Sequence, residues 1–88
     1  MNDIRVVVTG IGAVTPLGNS AQETWRNAID GFSGAAPITR FNPEKFKTHF
    51  ACEVKDFDPK NCLDRNEIKR SDLFTQYALY AANEAFRD

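Results

Sequence analysis

The sequence predicts an α/β fold that is incomplete within its 88 residues. Residues 4–9, Ile-Arg-Val-Val-Val-Thr, are rich in β-branched side chains and end at Gly10, a pattern typical of a strand buried on both faces of a sheet. Two segments with helical periodicity and one weaker strand follow. A strand buried on both faces needs a neighbour at each edge, and this chain offers only one candidate. We therefore expect the amino-terminal part of a longer protein.

The first helix is predicted from its two ends. Residues 10–18, Gly-Ile-Gly-Ala-Val-Thr-Pro-Leu-Gly, predict a tight loop because glycine and proline punctuate them. Either Asn19 or Ser20 then caps a helix, and the spacing from Ser20 to Glu23 fits a capping box. Gly31 is expected to end this helix in the left-handed conformation.

The middle of the chain is predicted to be mostly irregular. Residues 32–46 contain two prolines and Gly34, and a short helical start is expected at residues 42–44, Asn-Pro-Glu. Residues 50–54 predict a second strand near a sheet edge, because charged residues flank it. Residues 58–63 predict another turn of helix.

The longest helix is predicted to begin at Asp64 or Asn66 and to run without interruption to Asp88. Neither Gly, Asn nor Pro ends its pattern, which is the second reason to expect a longer protein. Its apolar residues recur largely at helical spacing and are expected to pack in a core: Ile68, Phe74, Tyr77, Ala78, Ala81, Ala85 and Phe86.

Composition excludes several classes of protein. Eleven Lys and Arg against twelve Asp and Glu leave a formal net charge of −1, which gives no overall attraction to nucleic acid or to an anionic membrane. The apolar runs fall far short of the roughly 18 residues that span a bilayer. Asn2 and Asp3 follow Met1, so no signal peptide is expected. These features predict a cytoplasmic protein.

The cysteines and the histidine predict neither a metal site nor a nucleophile. Cys52 and Cys62 form no CxxC motif, and His49 is the only histidine. Residues three apart in a strand point to opposite faces, so His49 is not placed to activate Cys52. Both cysteines are expected to be ordinary packed thiols of a reducing compartment.

The Gly10-x-Gly12 pair after the first strand invites a dinucleotide-binding interpretation. That fingerprint needs a third small residue where Thr15 stands, and Pro16 and Gly18 delay the following helix. A structural turn is the better interpretation, and no cofactor is expected.

A basic cluster lies near the start of the last helix. Arg65 and Lys69 are one helical turn apart and share a face, while Arg70 lies about 100° further round. Glu67 and Asp72 dilute the cluster. It is either a solvated helical face or a docking patch for an acidic partner, and the residues alone leave both interpretations open.

Motifs along the whole chain resemble the β-ketoacyl-[acyl-carrier-protein] synthases, most closely synthase II of bacterial fatty-acid synthesis. The opening motif is also found in ketosynthase domains of polyketide synthases. The motifs are Arg5-Val-Val-Val-Thr-Gly-Ile-Gly-Ala-Val-Thr-Pro-Leu-Gly-Asn19, Gly31-Phe-Ser-Gly34, Val54-Lys-Asp-Phe57, Lys69-Arg-Ser-Asp72 and Phe74-x-Gln-Tyr-Ala78.

The resemblance implies a thiolase-like fold with two αβαβα halves, working as a homodimer several times longer than this chain. Residues 1–88 would be the first part of its N-terminal domain. The implied reaction is a decarboxylating Claisen condensation, in which an active-site Cys holds the growing acyl chain and malonyl carrier protein supplies two carbons.

The family's nucleophile lies in a Thr-Ala-Cys motif, and its catalytic His residues and supporting Lys come later still. No Thr-Ala-Cys occurs here, and residues 50–52, Phe-Ala-Cys, match a non-catalytic strand. The resemblance thus places no catalytic residue in this chain, which is expected to be inactive by itself.

The resemblance favours the docking interpretation of the basic cluster. Positions matching Arg65, Lys69 and Arg70 meet the acidic acyl carrier protein in the family, although Asn66 stands where another basic residue is common. The alternatives are a non-catalytic chain-length-factor subunit, a polyketide ketosynthase, or, least favoured, a self-sufficient carrier-binding module.

Overall fold

The computed structural model describes residues 3–88, so the expectation drawn from Met1 and Asn2 lies outside it. One helix precedes a small two-stranded antiparallel sheet, and two further helices follow it in this part of the chain. In chain order the elements are α1 (Ala21–Ile29), β1 (Ala35–Pro37), β2 (Phe50–Cys52), a 3₁₀ turn (Pro59–Asn61), α2 (Arg65–Arg70) and α3 (Leu73–Arg87).

The strand predicted for residues 4–9 is not formed within residues 3–88. No backbone hydrogen bond pairs this segment with another described segment. Ile4 is 89% and Val6 90% exposed. A strand is stabilised by ladder bonds to a neighbour, and the only sheet here is built from other residues. The apolar run therefore has no partner in this chain.

The loop that follows packs closely against α3. A Cβ at Gly12 would lie 1.8 Å from the carbonyl oxygen of Ala81, and one at Gly10 would lie 1.9 Å from that of Ala85. Thr15 and Gly18 close a tight turn, with Thr15 N donating to Gly18 O at 2.8 Å. The glycines thus serve backbone-to-helix packing, in agreement with the predicted structural turn.

Helix α1 begins and ends where its local sequence predicts, although only the Ser20 half of the predicted capping box forms. Ser20, not Asn19, is the N-cap, and its Oγ accepts from Glu23 N at 3.1 Å. Gly31 has a φ of +77° and follows the last turn. Its amide donates to Ala28 O at 3.2 Å, and the amide of Phe32 donates to Asn27 O at 3.0 Å, which is the Schellman arrangement.

Asn19 has a different role, because it joins the loop to the segment after β2. Its Nδ2 donates to the carbonyl oxygens of Lys55 (2.9 Å) and Asp56 (3.1 Å). Asp56 adopts a positive φ of 55° at this junction. The Lys55 ammonium completes the junction with bonds to the carbonyl oxygens of Pro16 (3.3 Å), Gly34 (3.0 Å) and Glu53 (3.1 Å).

Strand β1 was not predicted, because it lies in the segment expected to be irregular. This strand pairs antiparallel with β2, with Ala36 opposite Ala51. It ends at Pro37, a residue whose presence had favoured irregular structure. Proline is tolerated there because β1 has a strand on one side only. The second strand is confirmed but ends at Cys52, two residues earlier than predicted.

Between the strands, the expected helical start at residues 42–44 is a single turn. Glu44 N donates to Asn42 Oδ1 at 3.1 Å, and Phe46 N donates to Pro43 O at 2.9 Å. The predicted turn at residues 58–63 is the 3₁₀ turn, capped by Asp58 Oδ1, which accepts from Lys60 N at 3.0 Å.

The uninterrupted last helix was a wrong prediction, because Ser71 and Asp72 separate α2 from α3. Both residues are extended, with ψ of 139° and 164°. The helical spacing fails at the same place, since no apolar residue of the predicted stripe lies between Ile68 and Phe74. Asp64, not Asn66, caps α2, and it forms a complete capping box with Glu67.

The described residues bury little of their apolar surface. Leu63, 7% exposed, is the buried apolar side chain among them, and Phe74 and Phe86 of the predicted core stripe are exposed. The accessible surface is 7393 Å², against about 5200 Å² for a folded monomer of this mass. The radius of gyration is 16.5 Å, against about 12 Å for a closed domain of this length. No helix within residues 3–88 is long and apolar enough to cross a membrane.

Candidate functional site

The three basic residues predicted as a docking patch are all on α2 and exposed; Arg65, Lys69 and Arg70 are called the basic surface below. None of them forms an ion pair with another residue of the described chain, where Arg40 and Glu53 make the one salt bridge. The basic surface is therefore free to meet a partner's charges.

The acidic residues beside the basic surface bond backbone amides at the start of α2. Glu67 Oε1 accepts from Asp64 N at 3.2 Å, while Asp64 Oδ1 accepts from Glu67 N at 2.8 Å. Each carboxylate thus satisfies an amide at the N-terminus of α2, where negative charge is favourable. These bonds give the two carboxylates a structural role but leave their charge in place, and Asp72 makes no side-chain cap hydrogen bond at α3.

Both ends of α2 are fixed by hydrogen bonds. The capping box fixes the first turn of α2, and the Gln76 side chain of α3 bonds the backbone at its last turn. The Gln76 side chain, 6% exposed, donates from Nε2 to Ile68 O at 3.2 Å and to Ser71 O at 3.0 Å. This contact was not predicted, although a glutamine inside an apolar helical stripe is a signal of a buried polar contact.

Neither cysteine is placed as a nucleophile. Cys62 is half-buried, and burial raises the pKa of its thiol, with Arg87 opposing and Glu67 reinforcing the effect. Cys52 is exposed, and the His49 Nε2 lies 2.7 Å from Phe46 O. The expected packed thiol is thus seen for Cys62 and not for Cys52, whose strand leaves it on an open face.

A cavity of about 690 Å³ lies between residues 10–18, called the glycine loop below, the start of α1 and the end of α3. Its central acidic group is Glu84, whose carboxylate accepts from Ala13 N at 2.9 Å and from Ala21 N at 3.1 and 3.2 Å. These bonds tie the loop and α1 to α3, so Glu84 is a structural carboxylate. No group of His, Cys, Asp and Glu side chains within residues 3–88 is arranged to hold a metal ion.

A second hydrogen-bonded group joins the two-stranded sheet to α3. Glu53 accepts from Thr39 Oγ1 at 2.8 Å and from the amides of Thr39 and Arg40, and these bonds lower the pKa of its carboxyl. Arg40 donates from Nη2 to Tyr77 OH at 2.7 Å, which raises the guanidinium pKa. Phe57 packs edge-to-face on Tyr77, with ring centres 4.8 Å apart.

Comparisons with known proteins cover nearly the whole chain. The sequence model of the family described as "Beta-ketoacyl synthase, N-terminal domain" matches residues 3–88. The 3-oxoacyl-[acyl-carrier-protein] synthase 2 of Staphylococcus aureus strain MRSA252 is 46% identical over 98% of this chain and 21% of its own length. That of Coxiella burnetii is 46% identical over 100% of this chain and 21% of its own. The Synechocystis protein of the same name is 48% identical over 96% and 20%.

The structural comparison agrees with the sequence comparisons. A solved chain described as "The ishigamide ketosynthase/chain length factor" superposes with a TM-score of 0.81 and 38% identity, over 90% of this chain and 20% of that one. This chain therefore has part of the ketosynthase fold, which is thiolase-like. It spans about a fifth of the length of the curated relatives that it matches. By sequence and by structure, the chain belongs to the β-ketoacyl synthase family.

Proposed function

We propose that this chain is the amino-terminal part of a 3-oxoacyl-[acyl-carrier-protein] synthase that elongates acyl chains in bacterial-type fatty-acid synthesis. The observation that carries the proposal is 46% identity, over 98% of this chain, to a relative named 3-oxoacyl-[acyl-carrier-protein] synthase 2. The similarity extends from the glycine loop through α3 and is not confined to one motif.

The proposed reaction is a decarboxylating condensation. A cysteine thiolate takes the acyl group from a carrier-protein thioester and releases the carrier thiol. Malonyl carrier protein then loses CO₂, and the resulting carbanion attacks the acyl thioester, which returns the cysteine thiolate and leaves a chain two carbons longer. Cys52 and Cys62 do not match the family's nucleophile, so we propose that residues 1–88 alone have no condensing activity.

In this proposal, the basic surface of α2 docks the acyl carrier protein. Its three cations are exposed and unpaired within the described chain, and the neighbouring carboxylates of Asp64 and Glu67 serve the helix cap. Positive charge in that arrangement attracts an acidic partner and raises the rate of encounter more than it raises affinity. Asn66, where the family commonly has a further cation, leaves one contact unfilled.

The proposal also gives a role to the exposed apolar segment. In the complete enzyme, residues 4–9 would be a strand of an αβαβα half, with sheet neighbours and covering helices supplied by the rest of the protein. The large surface and radius of gyration of this chain support that arrangement, since a closed domain would expose far less. We place the complete enzyme in the cytoplasm as a homodimer.

A condensation assay tests the proposed function. The protein encoded by the whole gene, incubated with an acyl carrier protein substrate and malonyl carrier protein, should release CO₂ and form a 3-oxoacyl product two carbons longer. A protein that has no condensing activity alone, but is required for the activity of a partner ketosynthase, would instead be a chain-length factor. The superposition on the ketosynthase/chain length factor chain makes that the second candidate.

A further inference from the structure

We propose that Gln76 is a positioning residue for carrier-protein docking, because its amide fixes the turn of α2 that carries Lys69 and Arg70. The two carbonyls that accept from its Nε2, those of Ile68 and Ser71, lie immediately before and after these two cations in the chain. The inference rests on the proposed docking role of the basic surface.

Helix α2 needs such a contact because it is short. It has six residues, and an isolated helix shorter than about 12 residues is marginal in water. Its last carbonyls have no intrahelical partner, as at every helix C-terminus. Ser71 follows in an extended conformation, so the chain supplies no further helical amides to satisfy them. The capping box fixes only the opposite end of α2.

Gln76 is well placed to supply the missing bonds. It lies in the first turn of α3, where its backbone amide donates to Asp72 O at 3.0 Å and holds the start of that helix. Its side-chain amide nitrogen has two hydrogens, one for each carbonyl that it contacts. With 6% of its surface exposed, the side chain makes these bonds in a water-poor environment, where they are stronger and where losing them leaves the carbonyls poorly satisfied.

The effect on docking follows from geometry. Gln76 carries no charge and is buried, so it does not itself attract or touch an acidic partner. Without its donors, the last turn of α2 is free to fray, and Lys69 and Arg70 lose their fixed direction while their charge remains. Encounter by long-range attraction would persist, whereas the bound complex would lose its register and dissociate faster.

The test compares variants of the complete enzyme, with Gln76→Met removing the donors while keeping a long unbranched side chain. We expect KM for the acyl carrier protein substrate to rise about fivefold, as the loss of about one hydrogen bond's stabilisation implies. KM and kcat for a carrier-free acyl thioester should not change. The dependence of carrier association on salt should keep its slope, because no cation is removed.

A matched control is Glu53→Gln, which weakens the hydrogen bonds to Thr39 just beyond the two strands and leaves α2 intact. It should leave KM for the carrier substrate unchanged. If Gln76→Met fails to fold, Gln76→Asn keeps an amide on a shorter stem and should raise the carrier KM by a smaller factor. An unchanged carrier KM in the folded Gln76 variant, or an equal rise for the carrier-free thioester, overturns the inference.

The double variant Lys69→Ala/Arg70→Ala separates the inference from the proposal beneath it. If this variant weakens carrier binding and Gln76→Met does not, docking stands and the role of Gln76 is wrong. If the double variant binds carrier normally, the docking proposal fails, and the inference about Gln76 fails with it.

Discussion

Residues 4–9 and helix α2 have similar lengths, but only α2 forms its predicted secondary structure in this chain. The first is apolar, exposed and unpaired within residues 3–88, while the second is polar and held at both ends by named hydrogen bonds. A helix forms its hydrogen bonds within its own segment, and the unpaired groups at its ends can be satisfied locally, as the capping box and Gln76 do for α2. A strand satisfies them only through a neighbour. A chain that lacks the neighbour can therefore order its helices and leave its best strand unformed.

The largest expected effect tests the strand side of this contrast. Val7→Asp should leave the helical content of the 88-residue chain unchanged, because Val7 is 70% exposed there. In the complete enzyme, where we propose a buried strand, the same charge should destabilise the fold by more than about 4 kcal/mol. Circular dichroism of the chain and the soluble yield of the enzyme measure the two effects. A soluble and active Val7→Asp enzyme would contradict the buried strand.

The next effect concerns the glycine loop. Gly12→Ala should destabilise the enzyme by about 3 kcal/mol, since its Cβ would overlap the Ala81 carbonyl oxygen. Gly31→Ala should cost about 1–2 kcal/mol, because its positive φ is unfavourable although nothing lies within 4 Å. Urea unfolding of both variants gives the comparison. Equal losses would mean that the loop does not lie against α3.

Charge reversal tests the helix side of the contrast. Lys69→Glu/Arg70→Glu should slow association with acyl carrier protein about tenfold at low ionic strength and flatten its salt dependence. Lys45→Glu/Lys47→Glu makes the same change of charge on exposed residues between the strands and should have a much smaller effect. Stopped-flow measurement over a range of salt concentrations distinguishes them. Equal slowing by both variants would show that overall charge, and not the basic surface, matters.

A smaller effect depends on pH. The pKa of Glu53 is lowered from its ordinary 4.5, chiefly by the Thr39 hydroxyl that donates to it. Its ionised form therefore stabilises the fold fully above pH 4.5, and this contribution is lost as pH falls through the lower folded value. The difference in urea midpoint between the wild type and Glu53→Gln should be constant near neutral pH and shrink in acid. A difference that grows in acid would contradict this assignment.

The smallest effect is a difference in thiol reactivity within the chain. Burial raises the pKa of Cys62, so little of its thiolate is present at neutral pH, while Cys52 is exposed. Iodoacetamide should label Cys52 first, and the rate at Cys62 should rise with pH. Mass spectrometry of the Cys52→Ser and Cys62→Ser variants follows each site separately. Rapid labelling of Cys62 at neutral pH would show that its site opens.

The same contrast explains what could be predicted from sequence. The caps at Ser20 and Asp64 and the stop at Gly31 depend on residues a few positions apart, so the local pattern contains them, with Asn19 and Asn66 as the alternatives that it left open. Strand β1 depends on pairing with residues 50–52, which lie more than ten positions further along the chain. Pro37 made its local pattern look like a loop.

The candidate site divides in the same way. Its three cations could be named from their spacing. The buried Gln76 amide, which bonds the carbonyls on either side of Lys69 and Arg70, depends on a break in a helix that the periodicity had joined. Gln76 contacts Ile68 across that break, and the extended Ser71 and Asp72 make this possible. Sequence patterns identified the charged groups but not the buried amide that bonds the backbone beside them.

The contact between Glu84 and the glycine loop has a consequence for synthesis on the ribosome. Ala13 N and the carboxylate that it contacts are 71 residues apart in the chain. At about 5–20 residues per second, the loop emerges about 4–14 s before its partner is made. Closing this contact does not cover the adjoining residues 4–9, which stay exposed in the 88-residue chain. Slowing translation between the two should lengthen the time for which the loop lacks this contact.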